Sequence, residues 1–300
     1  MPSDALVPGL GVAPAPFRAA DAPERLTRLR RRLGPRFGEV EELCHLAPDP
    51  DLALAGVERF LDADELPSGR DLVEALVLLT GSSRLASAAL ARDPRLLRRT
   101  ARSPFAHRAR PDASMRRTLS RATGRLDGDD VAGLHRLLRR FASREVVRIA
   151  LRDLRRARVD EVTGELSSLA TSALDAAIAF HDRRLRLRHG APEGLAGREP
   201  GAGFCAIAMG KLGARELNFS SDIDLVYVYQ ADGNTTGEHP LTHFAYYARL
   251  AELVTESLSK VTEDGFVFRV DLNLRPDGRS GPIVNSIRAA ELYYQAFGRS

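Results

Sequence analysis

After Pro23 the apolar residues return at intervals of three and four, the periodicity of a helix that buries one stripe. Leu26, Leu29 and Leu33 form one such set, and Leu52, Ala55, Val57 and Leu61 another. Residues 71–79 carry Leu72, Val73, Leu76, Val77 and Leu79 behind Asp71, an N-cap candidate, and end at Gly81. The spacing predicts a short helix whose apolar density requires burial. The same reading predicts helices over 84–90, 94–100 and 113–122, then two long ones over 131–154 and 160–187.

The character changes at 190–203, where Gly190, Gly194, Gly197, Pro200 and Gly201 fall too close together for any periodicity and a loop is expected. Beyond it the pattern predicts short strands over 204–209, 222–229 and 266–274, with a helix over 241–258 between the last two. In the third strand Phe266, Phe268, Val270, Leu272 and Leu274 alternate with Val267, Arg269, Asp271, Asn273 and Arg275, which predicts one core face and one polar face. Helices followed by a small mixed sheet make an α+β fold with a largely helical N-terminal region. The expected organisation is a disordered Pro/Ala-rich lead-in over 1–23, interrupted by Pro8, Pro14 and Pro16, a helical arm over 24–125, and a second domain over 126–300 whose sheet core occupies 203–285. A last helix beginning near Ile287 reaches residue 300 without a stop signal, so the chain is expected to be a piece of a longer protein.

Composition changes this picture little. At 44% hydrophobic and 28% charged residues the chain is an ordinary globular mixture, and a net charge of +4 with the two signs interspersed does not point to nucleic acid. Lys211 and Lys260 are the only lysines, a bias of composition rather than a binding surface. No stretch has the apolar length of a membrane span, and no basic leader precedes a hydrophobic run, so a cytoplasmic protein without membrane contact is expected. Cys44 and Cys205 lack metal-ligand spacing and are expected to be inert core residues.

The candidate chemistry lies in Gly210-Lys211 and, ten residues on, Asp222-Ile223-Asp224-Leu225. Side chains alternate along a strand, so Asp222 and Asp224 share a face while Ile223 and Leu225 enter the core. Paired carboxylates repel unless a cation neutralises them, and hard oxygen donors suit Mg²⁺ better than Zn²⁺. If the strand at 266–274 lies alongside, Asp271 completes a cluster able to hold two ions. Arg269 and Arg275 would then flank it, suited to phosphate charge, while Gly210, Gly213, Ser220 and Ser221 would let backbone and hydroxyl groups approach a triphosphate. Lys211 fits a phosphate contact and a loop charge equally well. Bland readings are preferred for His239 and His243 (structural), for Tyr246 and Tyr247 (packing), and for Arg144, Arg148 and Arg152, whose i, i+4 spacing reads as a solvated stripe.

At these residues the chain resembles the polymerase-β-like nucleotidyltransferases, whose shared pattern runs from a hydrophobic residue, Gly and a small residue to Asp-x-Asp roughly ten residues later. Lys211 stands at the usually small position, and the run from Gly210 through Asn218, Phe219, Ser220 and Ser221 to Asp224 resembles the signature of the glutamine synthetase adenylyltransferase/deadenylase family, with Ala214 where that family usually has Gly. The resemblance extends over Phe268 to Pro276 and Gly278 to Pro282, and more loosely over 81–84 and 143–149. It implies a polymerase-β-like core with Asp222, Asp224 and Asp271 as catalytic and metal-binding residues, and Gly210, Lys211, Gly213, Ser220, Ser221, Arg269 and Arg275 around nucleotide and phosphate. Family members carry two such domains, and the helical segment ahead of this one implies the first, which removes AMP. The implied reaction is Mg²⁺-dependent phosphorolysis of an adenylyl-tyrosine on glutamine synthetase, giving ADP, with a PII signalling protein as a further partner through regions outside this chain. Forward adenylyl transfer from ATP and a non-catalytic helical docking domain are the alternatives.

Overall fold

The computed structural model describes residues 14–297 of the chain. The lead-in expected over 1–23 lies outside the described residues as far as residue 13, and helix begins at Ala22. The chain forms an α+β fold that divides into two compact units, Met1–Ala109 with Ser143–Val162, and Arg110–Ala142 with Thr163–Ser300. Among the described residues no helix is long and apolar enough to cross a membrane.

The first unit contains α1 (Ala22–Leu33), α2 (Phe37–His45), α3 (Pro50–Ala63), α4 (Arg70–Ser82), α5 (Arg84–Arg92) and α6 (Arg95–Ala101). Its core includes Leu29, Val57, Leu61, Leu76 and Leu79 from the stripes read in the sequence, with Leu54 and Leu90 beside them, whereas Leu26, Leu33, Leu52, Ala55 and Leu72 are only half-buried. α3 and α4 approach so closely at Gly56 that a Cβ there would stand 2.4 Å from Thr80 Cβ, which requires the glycine. Asp71 lies in the first turn of α4 rather than at its cap, which falls on Gly69. Asp49 and Ser83 cap α3 and α5 by accepting from the amides of Leu52 and Ala86.

In the second unit α7 (Asp112–Thr123) precedes the sheet, and α8 (Val131–Leu154) and α9 (Val159–His189) belong partly to each unit. The sheet elements then follow in the order β1 (Phe204–Ala208), α10 (Gly210–Gly213), β2 (Ile223–Tyr229), α11 (His243–Ser259), β3 (Val270–Asp271), β4 (Val284–Ser286) and α12 (Ile287–Phe297). β2 is central: β1 runs antiparallel along one edge, while β3 and β4 pair parallel with successive parts of the other. Ile223, Leu225, Tyr227 and Tyr229 alternate onto one face of β2 and are buried. Phe204, Tyr227, Tyr229 and Tyr247 stack there with ring centroids 5.3–5.9 Å apart, and Tyr227 shares a 3.0 Å hydrogen bond with Thr255 of α11. Tyr246 and Tyr247 are fully packed, as expected.

The third strand is far shorter than its alternation predicts. Only Val270 and Asp271 pair with β2. Before them, Val267 and Phe268 both donate to Leu258 O at the end of α11 and are both buried, so burial does not alternate. After them, Asn273 N turns back to Asp271 Oδ1 and Arg275 N to Leu272 O, while Phe266 and Leu274, expected in the core, are exposed. Arg139, fully buried, holds this connection. Its guanidinium donates to the carbonyls of His135, Ser257, Lys260 and Gly265, tying α8 to the turn that leads into β3.

Two further expectations change. Cys44 is buried, and burial pushes its thiol pKa up to about 12, but Cys205 is exposed because its position on β1 faces away from the packed side of the sheet. Arg148 and Arg152 are buried, at 2% and 4% exposure, rather than solvated, because Glu145 and Glu161 in the same unit neutralise them.

Candidate active site

The face of β2 opposite the aromatic stack carries Asp224, Val226 and Val228. Asp224 and Asp271 are register partners on the parallel pair β2 and β3, which sets their backbones about 4.8 Å apart with side chains on the same face. The turn after β1 is fixed to this point by Met209 N, which donates to Asp224 O at 2.9 Å. Gly210 then takes φ +52°, and a Cβ on it would stand 2.7 Å from Asp224 Oδ2. Bare backbone is what leaves that carboxylate accessible. Gly213 has the same constraint from the strand side, since its Cβ would stand 2.6 Å from Ala208 O. Lys211 projects from the single turn of α10 and is exposed.

The loop from Ala214 to Ser221 is anchored at its start. Arg215 pairs with Asp112 at 2.9 Å and donates to Ser168 Oγ, and Leu217 N donates to Ser167 Oγ on α9. Ser220 adopts φ +63°, its carbonyl accepts from Arg269 Nη2 at 2.7 Å, and Ser221 Oγ bonds Asn218 Oδ1.

The structure does not gather all three aspartates about one point. Asp222 Oδ1 is held by Arg269 Nε in a close ion pair, and both residues are about half exposed. Asp271 receives Asn273 N at 2.7 Å and Asn273 Nδ2 at 3.0 Å, and Asn273 in turn accepts from Arg279 Nε. Among the described residues no group of three or more His, Cys, Asp or Glu side chains could hold a metal ion. What the fold brings together is the pair Asp224 and Asp271, with Asp222 two residues from Asp224 and engaged by a guanidinium. Arg275, expected on the phosphate, is spent on the carbonyls of Leu272, Arg279, Gly281 and Pro282, where it braces the loop after β3. His243 is structural as expected: its ring is buried and bonds Ala231 O and Asn234 O.

The donor set still fits a hard divalent cation. Asp224 and Asp271 offer carboxylate oxygens from neighbouring register positions on one face, Gly210 keeps the approach to Asp224 clear, and the Arg269 pair shows that Asp222 takes a positive charge at the same edge.

The same face continues away from the acids as an apolar hollow. Ile207 from β1, Met209 from the turn after it, Val226 and Val228 from β2, and Ile287, Ala290 and Tyr294 from α12 line a cavity of about 690 Å³. Asn285 of β4, the register partner of Val228, has a buried side-chain amide nitrogen with no hydrogen-bond partner. Sequence reasoning missed Arg139, Asn273 and this hollow, because each depends on a carbonyl, a turn or a helix that no local spacing announces.

A family model described as glutamate-ammonia ligase adenylyltransferase matches residues 73–300, and so spans both sides of this site and most of the chain. The chain belongs to that family. A member of the glutamate-ammonia ligase adenylyltransferase family from Thioalkalivibrio sulfidiphilus, a bifunctional glutamine synthetase adenylyltransferase/adenylyl-removing enzyme, is 38% identical over 83% of this chain and 26% of its own length. Proteins of the same name are 48% identical over 54% of the chain in Nitrosococcus oceani, covering 17% of that protein, and 41% identical over 75% in Burkholderia mallei, covering 24%. The chain thus spans about a quarter of the length of these family members or less.

Proposed function

We propose that this chain carries a nucleotidyl-transfer site that removes AMP from an adenylylated tyrosine of glutamine synthetase by Mg²⁺-dependent phosphorolysis. The observation that carries the reading is the adjacent pair Asp224 and Asp271 on one face of the sheet, with the Gly210 backbone packed beside the Asp224 carboxylate. Two relatives that cover much of the chain bear the name of an enzyme that both adds and removes adenylyl groups.

Asp224 and Asp271 would hold the metal, and Asp222 would join them when Arg269 transfers its fork to a phosphate oxygen. Bound Mg²⁺ would supply charge neutralisation on the transferring phosphoryl group. Arg269 is suited to that exchange because its guanidinium is half exposed and its partners, one carboxylate oxygen and one carbonyl, are both at the site rim. The hollow beyond Asp224 would receive the adenosine, with Val226 and Val228 as an apolar floor and Tyr294 as a wall. In the reaction an oxygen of inorganic phosphate forms a bond to the α-phosphorus, the bond from phosphorus to the tyrosyl oxygen breaks, and the phenolate leaves and takes a proton from water. A leaving group of pKa about 10 needs no general acid from the protein.

The decisive assay incubates the chain with adenylylated glutamine synthetase and phosphate, and separately with ATP and the unmodified enzyme. ADP release in the first reaction, lost in Asp222→Asn with the fold intact by circular dichroism, is expected. Unchanged turnover in Asp222→Asn would exclude the role given to the acidic face. Transfer from ATP without phosphorolysis would assign the site to the forward direction.

A further inference from the structure

β1 has two edges, and the sheet uses one of them. Gln230 N donates to Gly203 O and Met209 N to Asp224 O, both at 2.9 Å, so the ladder to β2 runs through positions 203, 205, 207 and 209. The amide and carbonyl of Ala206 point the other way, and among the described residues no second strand takes them. Open edges are commonly blunted by a proline, a charge or a bulge. The segment Phe204-Cys205-Ala206-Ile207-Ala208 carries none of these.

A groove of about 400 Å³ follows this edge, all within the second unit. Phe204, Cys205 and Ala206 line it together. Successive strand side chains point to opposite faces, so a space lined by all three lies along the edge of β1 rather than over either face. The opposite wall comes from Ser120 on α7 and from Ser172 and Ala176 on α9. Arg116 and Arg183 against the single Asp175 make the lining weakly cationic.

The edge leads into the acidic site. One residue beyond β1, Met209 bonds Asp224, and Gly210 then packs against the Asp224 carboxylate. A strand added to β1 lies two strand spacings from β2, roughly 10 Å. A tyrosyl side chain that carries a phosphoryl group can cross that gap.

We propose that the free edge of β1 binds, as an added strand, the extended segment of the protein substrate that flanks the adenylylated tyrosine. The inference rests on the reading under Proposed function and adds what recognises the protein rather than the nucleotide. Main-chain hydrogen bonds to Ala206 hold the segment, and the groove takes one of its side chains, neutral or acidic rather than basic.

The test compares wild type with two variants. Ala206→Pro removes the outward N–H and leaves the ladder to β2 in place, and Ser120→Trp fills the groove from an exposed position on α7. Affinity for immobilised adenylylated glutamine synthetase should fall at least tenfold in both, and KM for it should rise as much with kcat within twofold. N-acetyl-O-adenylyl-tyrosinamide, which has no flanking segment, should be phosphorolysed by both variants at the wild-type rate. Affinity within twofold of wild type in Ser120→Trp overturns the proposal, and that position decides the matter if Ala206→Pro fails to fold. A wild-type dimer in sedimentation velocity that Ala206→Pro dissociates also overturns it, because the edge then pairs with a second copy. Weakened binding in both variants without any phosphorolysis by wild type would sink the reaction assigned above and keep the docking edge, whereas full turnover with unchanged affinities would sink the edge alone.

Discussion

The two faces of β2 are built from the same seven-residue strand and do opposite things. On one face Ile223, Leu225, Tyr227 and Tyr229 are sealed by α11 and stacked rings; on the other Asp224 is partly open and Val226 and Val228 floor a hollow. A period of two lets a single segment anchor the fold and present chemistry, provided that nothing covers the second face at the acidic end. Substitutions on the two faces should therefore separate stability from activity.

The largest effect is expected on the open face. Asp224→Asn should lower turnover about a thousandfold, roughly 4 kcal/mol of barrier, with the thermal midpoint within a few degrees of wild type. Tyr227→Ala on the sealed face should do the reverse, costing about 3–5 kcal/mol of stability with turnover per folded molecule retained; denaturation followed alongside the phosphorolysis assay checks both. Equal losses of stability in the two variants would break the comparison.

Acid should attack the sealed side next. His181 on α9 is fully buried, shares Ser257 of α11 with His135, and has its pKa lowered to about 3 by burial first and by Arg184 and His135 after that. A folded pKa below the unfolded value of 6.5 means that the unfolded chain binds the proton first. Stability is complete above pH 6.5 and is lost as pH falls toward 3, by roughly 3 kcal/mol at pH 4. Urea denaturation across that range should show the slope, and His181→Asn should flatten it.

A smaller effect is expected at Gly210, where alanine would place its Cβ against the Asp224 carboxylate in a left-handed backbone. Turnover should fall about thirtyfold, roughly 2 kcal/mol, with the affinity for glutamine synthetase unchanged. The smallest concerns the hollow. Ile207, 43% exposed, can accept a charge without unfolding, so Ile207→Glu should raise KM for ADP in the reverse assay about fivefold and leave kcat close to wild type.

Much of this is legible in the sequence. Helical periodicity locates α3, α4, α8 and α9 because each buries a stripe, and strand alternation places Asp224 on β2, although Asp222 falls just before the strand begins. What failed depended on which group claims each amide or guanidinium, near or far in sequence. The alternation over 266–274 describes an extended segment but not who pairs with it, and the carbonyl of Leu258 and the turn at Asn273 claim most of its amides. Arg148 and Arg152 read as a solvated stripe because their spacing does not tell that the helix face is buried, although Glu145, three residues before Arg148, is the local partner that makes burial tolerable and Glu161 on the next helix is the other. Arg269 and Arg275 look like a pair in the sequence, yet one grips a carboxylate and the other a loop.

The shortness of β3 has a mechanical consequence. Asp271 is attached to the sheet by a two-residue ladder, between a turn clamped by Arg139 and a loop braced by Arg275. Its carboxylate rides on a short hinge-pin between two stiff mounts, whereas Asp224 belongs to a seven-residue strand laddered to β1 from the next residue onward. The gap between the two acids can therefore widen or narrow without disturbing the aromatic stack, and amide exchange at Val270 and Asp271 should run faster than at Leu225 and Tyr227.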